Sequence, residues 1–338
     1  MLGLLKCHGM IRWRGLGVVV AVVALVATVL ASGAWATPGS DPGPPPWAPG
    51  PGGPDVIHVM HTHDAHGTGT GTAPLLTYHG GAVQTAPAVY VVFWGSQWTN
   101  NDPSGEAPAL QQFLGGLYGA ADTWSTSTTQ YCQGVATGST TCTTASPANR
   151  ISHPATTPVL GVLYDSTVVA PSRPKQRDLA GEAVRAAGIF KAGAGLNPEA
   201  QFVIATAHNN NATGFGSTYC AWHSSTGSSF GNLAYTNFPY MTDAGASCGA
   251  NFVNKTTGAL DGVTIVGGHE YAETVTDPFP SSGWIDANGA ENGDKCAWIS
   301  SGQGAATNVT ISSGTFPVQS LWSNNFNSGS GGCVISYP

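Results

Sequence analysis

Six cysteines, Cys132, Cys142, Cys220, Cys248, Cys296 and Cys333, follow an N-terminal export-type segment, and this combination constrains the fold more than any other feature of the chain. An even set in an exported chain reads as a disulfide framework. Nearest-neighbour pairing (132–142, 220–248, 296–333) is expected, because short loops close at least entropic cost. No Cys-x-x-Cys occurs, which argues against a cysteine metal site.

The export reading rests on residues 1–36. Lys6, Arg12 and Arg14 precede an apolar run from Gly15 to Ala31, and Ala34-Trp35-Ala36 supplies the small-x-small pattern of a signal-peptidase site. Cleavage is expected after Ala36, leaving no stable membrane span. An uncleaved anchor is the rival, since the run is near the lower limit for crossing a bilayer. Removing those three basic residues from the total of 11 leaves 8 against 18 acidic ones. Such a chain is a poor partner for nucleic acid.

Residues 37–54 are rich in Pro and Gly, and the tract that follows holds His58, His61, His63, His66 and Asp64. Residues 37–74 are therefore expected to be a disordered linker, with metal binding by the histidine tract as the other reading. The folded domain is expected over 75–338. Its strands are read at 89–94, 159–164, 201–207, 217–224 and 232–238. Helices are read at 107–121, 177–190 and 262–276. That order predicts a single α+β or mixed α/β domain.

The chain has only six glutamates, yet Glu270, Glu273 and Glu291 fall close together. The core of this region is GGHEYAETVTDP, residues 267–278. A His-Glu-x-x-Glu tetrad is expected about 0.003 times by chance at this composition. On a helix His269 and Glu273 share one face, as the two histidines of His-Glu-x-x-His do when they bind zinc. Glu270 then occupies the position of the general base, accepting a proton from water at the metal. Glu291 or Asp294, in the loop GWIDANGAENGDKC, would complete the site, and His223 or His79 would add an imidazole. Zinc is the expected ion. Manganese and calcium are alternatives, since Asp286, Asn288, Glu291, Asn292 and Asp294 are hard oxygen donors. The rival reading is a polar structural network in which Asp277-Pro278 only ends the helix.

Gly-x-Ser-x-Gly occurs at Ser229 and Ser247, neither in a strand-to-helix elbow, so a serine hydrolase is a weak third reading. Asn211, Asn254 and Asn308 begin Asn-x-Ser/Thr sequons.

These motifs resemble the EXORDIUM family, also called phosphate-induced protein 1. The resemblance is carried by Leu76-Thr77-Tyr78-His79-Gly80-Gly81, the strand VYVVFWGSQW at 89–98 and Tyr219-Cys220-Ala221-Trp222-His223. It continues through Gly268-His269-Glu270-Tyr271-Ala272-Glu273, Asp277-Pro278, Gly283-Trp284 and Glu291-x-x-Asp294-x-Cys296. Asp277 stands where asparagine is usual in plant members, and 125–157 does not align. The resemblance implies secretion and association with a cell wall or surface, without a settled enzymatic activity. The expected function is a secreted, zincin-like metal-dependent hydrolase acting on extracellular peptides. The alternative is a non-enzymatic protein that binds a cell-wall polymer or surface partner.

Overall fold

The computed structural model describes residues 56–65, 74–191 and 198–337; the predicted export segment and residues 37–55 lie outside the described residues. In chain order the elements are β1 (Ile57–His61), β2 (Thr77–Tyr78), β3 (Ala88–Trp94), α1 (Glu106–Gly116), β4 (Val159–Asp165), α2 (Gln176–Phe190), β5 (Ala200–Thr206), β6 (Tyr219–Ser228) and β7 (Gly231–Phe238). There follow α3 (Asp261–Thr276), β8 (Trp284–Ile285), β9 (Thr307–Ile311), β10 (Gly314–Val318), β11 (Leu321–Ser323) and β12 (Gly332–Val334).

The sequence AVYVVFW is apolar at every position because β3 lies inside a sheet covered on both faces. The sheet order is β1-β6-β7-β5-β3-β4. Strands β4, β3, β5 and β7 run parallel, while β6 is antiparallel to both β7 and β1. The connection from β3 to β4 moves toward one edge, and that from β4 to β5 moves back past β3. Right-handed crossovers then require helices on opposite faces. Accordingly Val89, Val91 and Phe93 pack with α1 and α3, while Tyr90, Val92 and Trp94 pack with α2. The result is a mixed α/β domain.

Helix α3 is buried at every one of its 16 positions. It has no solvent face because α1 and β10 pack against it while the sheet lies beneath. Gly268 permits the close approach: a Cβ there would lie 2.9 Å from the Trp124 ring and 3.2 Å from that of Phe113.

The three disulfides join Cys132–Cys142, Cys220–Cys248 and Cys296–Cys333, as nearest-neighbour pairing predicts. They are consistent with a chain that folds in an oxidising, extracellular setting. No helix among the described residues is long and apolar enough to cross a membrane.

One expectation fails. Residues 57–61 belong to the sheet and are buried, so the disordered linker does not extend through 74. Ile57 and Val59 enter the α2-side core, and Met60 enters the α3-side core. Burial of Ile57, Val59 and Met60 offsets the ordering entropy that a histidine-rich tract was expected not to meet. Thus the folded domain includes Val56 and the strand that follows it, upstream of the predicted boundary at 75.

Candidate metal centre

Four separate segments bring the candidate residues together. Helix α3 contributes His269, Glu270 and Glu273 from one turn, as the i, i+4 spacing requires. Strand β6 contributes His223. It alternates with Trp222, which faces α2, so the imidazole faces α3. Strand β1 contributes His58, the direct cross-strand partner of His223. The loop after β8 contributes Glu291 and Asp294. Two disulfides brace these segments: Cys220 lies three residues before His223, and Cys296 two residues after Asp294.

His269 Nε2 lies 3.0 Å from Glu273 Oε1 and 3.6 Å from Asp294 Oδ1. His223 Nδ1 is 3.4 Å from Glu270 Oε2 and 3.6 Å from Glu273 Oε2, and its Nε2 is 3.5 Å from Glu291 Oε1. His58 Nδ1 is 3.4 Å from the same Glu291 oxygen, while its Nε2 contacts Asp294 Oδ2. His223, His269, Glu273 and Glu291 are 0% exposed. Both ring nitrogens of His223, His269 Nε2, Glu273 Oε2 and all four oxygens of Glu270 and Glu291 make no hydrogen bond.

Second contacts orient the rings. His269 Nδ1 faces Gln319 Oε1 at 3.2 Å, and the Gln319 amide is fixed because its nitrogen donates to the Gly293 carbonyl at 2.7 Å. Nδ1 is therefore the donor, and Nε2 is the ring atom turned toward the carboxylates. The Asp294 amide donates to Glu273 Oε1 at 3.0 Å.

Burial opposes charge throughout the cluster. It works against the imidazolium of His58 and of His223, but Glu291 outweighs it, with Asp294 at His58 and Glu270 at His223, and holds both well above the usual range. In the same way Glu273 and Asp294 hold His269 at about 9 against burial. Burial raises Glu270 and Glu291 despite the nearby histidines. Asp294 shows the opposite balance: burial pushes it up, but His58 drives it below its ordinary value.

A cation fits this arrangement. Zinc–nitrogen and zinc–oxygen bonds near 2.1 Å place tetrahedral ligand atoms about 3.4 Å apart. The nitrogen–oxygen separations of 3.0–3.6 Å match that edge. Buried imidazole nitrogens and carboxylate oxygens that face one another without hydrogen bonds are an arrangement a metal ion would satisfy.

Other candidates fall elsewhere. His79 is exposed beside Thr77 Oγ1, outside the cluster. Asp286 is taken by the Lys295 ammonium at 2.6 Å, and the Asn292 amide is oriented by its Nδ2, which donates to the Ala272 carbonyl and Thr276 Oγ1, so Glu291 and Asp294 are the loop acids that enter the cluster. Asp277 ends α3 and accepts the amides of Ser281, Ser282 and Gly283. Ser229 is at the tip of the β6–β7 hairpin, and Ser247 is in a short turn beside Cys248. The side chains of Asn254 and Asn308 hydrogen-bond each other, and Asn211 Nδ2 donates to Asp243.

Sequence reasoning omitted His58 and Gln319 from the site. The apolar, β-branched run Val56-Ile57-His58-Val59-Met60, interrupted only by His58, carried a strand signal for the first; nothing local marked the second. Comparison of the chain with family models, curated proteins and solved structures finds no match.

Proposed function

We propose that this chain is an exported metal-dependent hydrolase whose cation, zinc first and manganese or calcium as alternatives, is held by the histidine–carboxylate cluster on α3. The observation that carries the reading is the convergence of buried imidazole nitrogens and carboxylate oxygens that make no hydrogen bonds. The candidate ligands are Glu273 with His58 and Asp294 on one side and with His223 and Glu291 on the other, and His269 Nε2 lies beside them, 3.0 Å from Glu273 Oε1. The ion would supply Lewis-acid polarisation of a carbonyl. Glu270, whose two oxygens make no hydrogen bond, is the group to take and hold a proton. His58 and Asp294, each 9% exposed, mark the side of substrate approach.

Extracellular peptides are the proposed substrates, by analogy between the His-Glu-x-x-Glu helix of this chain and the His-Glu-x-x-His helix of zinc peptidases. The EXORDIUM-like motif order supports export and an association with a cell wall or surface.

Burial favours a second reading. Closed sites are typical of structural metals, and the cation would then brace a non-enzymatic binding protein.

Metal analysis of the full chain, beside Glu273→Gln and Glu270→Gln, tests these readings together with a peptide-hydrolysis screen. Stoichiometric zinc is expected in the wild type and Glu270→Gln and lost in Glu273→Gln, with hydrolysis lost in both variants. Metal without hydrolysis assigns the second reading. No metal after zinc, manganese and calcium have each been offered removes the centre and leaves an imidazolium–carboxylate network.

A further inference from the structure

Resting on that metal-centre reading, we infer that the cluster holds two divalent cations bridged by the carboxylate of Glu273. Two donor sets can be drawn within it: His58, Glu273 and Asp294, and His223, Glu273 and Glu291. The donor atoms of each set lie within 4.8 Å of one another. Glu273 is the one residue common to both.

Its oxygens face different ways. Oε1 lies 3.0 Å from His269 Nε2 and receives the Asp294 amide at 3.0 Å. Oε2 makes no hydrogen bond and faces His223 Nδ1 at 3.6 Å. One carboxylate oxygen therefore serves the His58–His269–Asp294 side and the other the His223–Glu270–Glu291 side. The spacing suits a pair. Ions sharing a bridge lie about 3.5–4 Å apart, and the rings of His58 and His223 are 5.6 Å apart between centroids. Glu291 Oε1, 3.4 Å from His58 Nδ1 and 3.5 Å from His223 Nε2, also lies between the two sides.

Glu270, Glu273, Glu291 and Asp294 bring four carboxylates into the interior, and among the described residues no lysine or arginine forms an ion pair with them. Imidazole and carboxylate donors together suit manganese, iron or zinc in the divalent state.

The test is titration of the metal-stripped full chain with Mn(II), followed by elemental analysis and electron paramagnetic resonance. Two ions per chain are expected, with an exchange-coupled multiline spectrum at saturation. Glu291→Gln and His58→Gln should each bind a single ion and show the hyperfine sextet of isolated Mn(II), with near-ultraviolet circular dichroism confirming that each has folded. One ion in the wild type overturns the bridged pair but leaves the metal centre standing. Two ions with only isolated sextets overturn the bridge. A second ion retained in both variants places it outside the cluster and also overturns the inference. No bound ion overturns both readings.

Discussion

Replacing Gly293 with alanine tests how tightly the cluster is enclosed. A Cβ at this position would lie 2.8 Å from His269 Nδ1 and 2.9 Å from Glu273 Oε1. Ordinary contacts of such atoms begin at about 3.5 Å, so a neighbour must move by more than about 0.5 Å. Neither moves freely: Gln319 holds the His269 ring, and the Asp294 amide holds Glu273. The backbone is not the obstacle, because Gly293 has a φ of −77°, which alanine adopts readily. The cost is therefore overpacking, about 1–3 kcal/mol, or a loss of about 2–10 °C in Tm for a domain of this size. Displacement of a ligand by a fraction of an ångström should also weaken zinc binding about 10–100-fold, the range for disturbed outer contacts. Thermal unfolding with and without chelator, and competition with a chromophoric chelator, measure the two effects. Gly289→Ala is the control: it has a φ of +89° with nothing near its missing Cβ, so it strains the turn without touching the cluster. A Gly293→Ala protein with wild-type Tm and zinc affinity would refute the enclosure argument.

Four further outcomes follow from other contacts. Burial raises Glu106 from 4.5 to about 7, although the amides of Met241 and Thr242 partly offset it. A raised carboxyl favours folding below its unfolded pKa, and that stability is lost as pH climbs through the folded value. Between about pH 4.5 and pH 8 the wild type should lose up to about 3 kcal/mol relative to Glu106→Gln, as read by urea unfolding. Removing Cys296–Cys333, which spans 37 residues, should cost about 4 kcal/mol and weaken metal binding by loosening the Glu291–Asp294 loop. Removing Cys132–Cys142, which spans 10, should cost about 3 kcal/mol and leave metal content unchanged. Gln319→Leu should lower zinc affinity about 10–100-fold by releasing the His269 ring, with metal competition as the readout.

Local signals made much of this molecule legible. The i, i+4 relation of His269 and Glu273 needs nothing beyond one helix, and α3 begins one residue before the predicted start and ends at the predicted one. The run at β3 is long and apolar because both sheet faces are covered, and this too can be read locally. The cysteine pairing followed from loop entropy. By contrast, His58 gains its place only through register with His223 across two distant strands. Its neighbours His61, His63 and His66 gave the tract a solvated appearance that hid the strand signal. Asp286 matched the other loop acids in composition, but Lys295 neutralises it, a contact decided by how the loop folds back. Gln319 reaches His269 from the strand end after β10, where no sequence pattern distinguishes it.

The bracing of His223 and Asp294 by neighbouring disulfides fixes an order of assembly. The donors come from segments far apart along the chain, so a nascent or reduced polypeptide offers incoming ions only scattered, competing ligands. Cys220–Cys248 ties β6 to the turn before α3, and Cys296–Cys333 ties the acidic loop to β12, so the enclosed geometry is fully braced only once these bonds have formed. On the proposed metal-centre reading, loading would then be a late event, drawing on whatever ions the medium supplies at that moment. Recombinant protein refolded in different metal buffers should accordingly carry different occupants, and the metal found after purification records the history of the sample as much as the preference of the site.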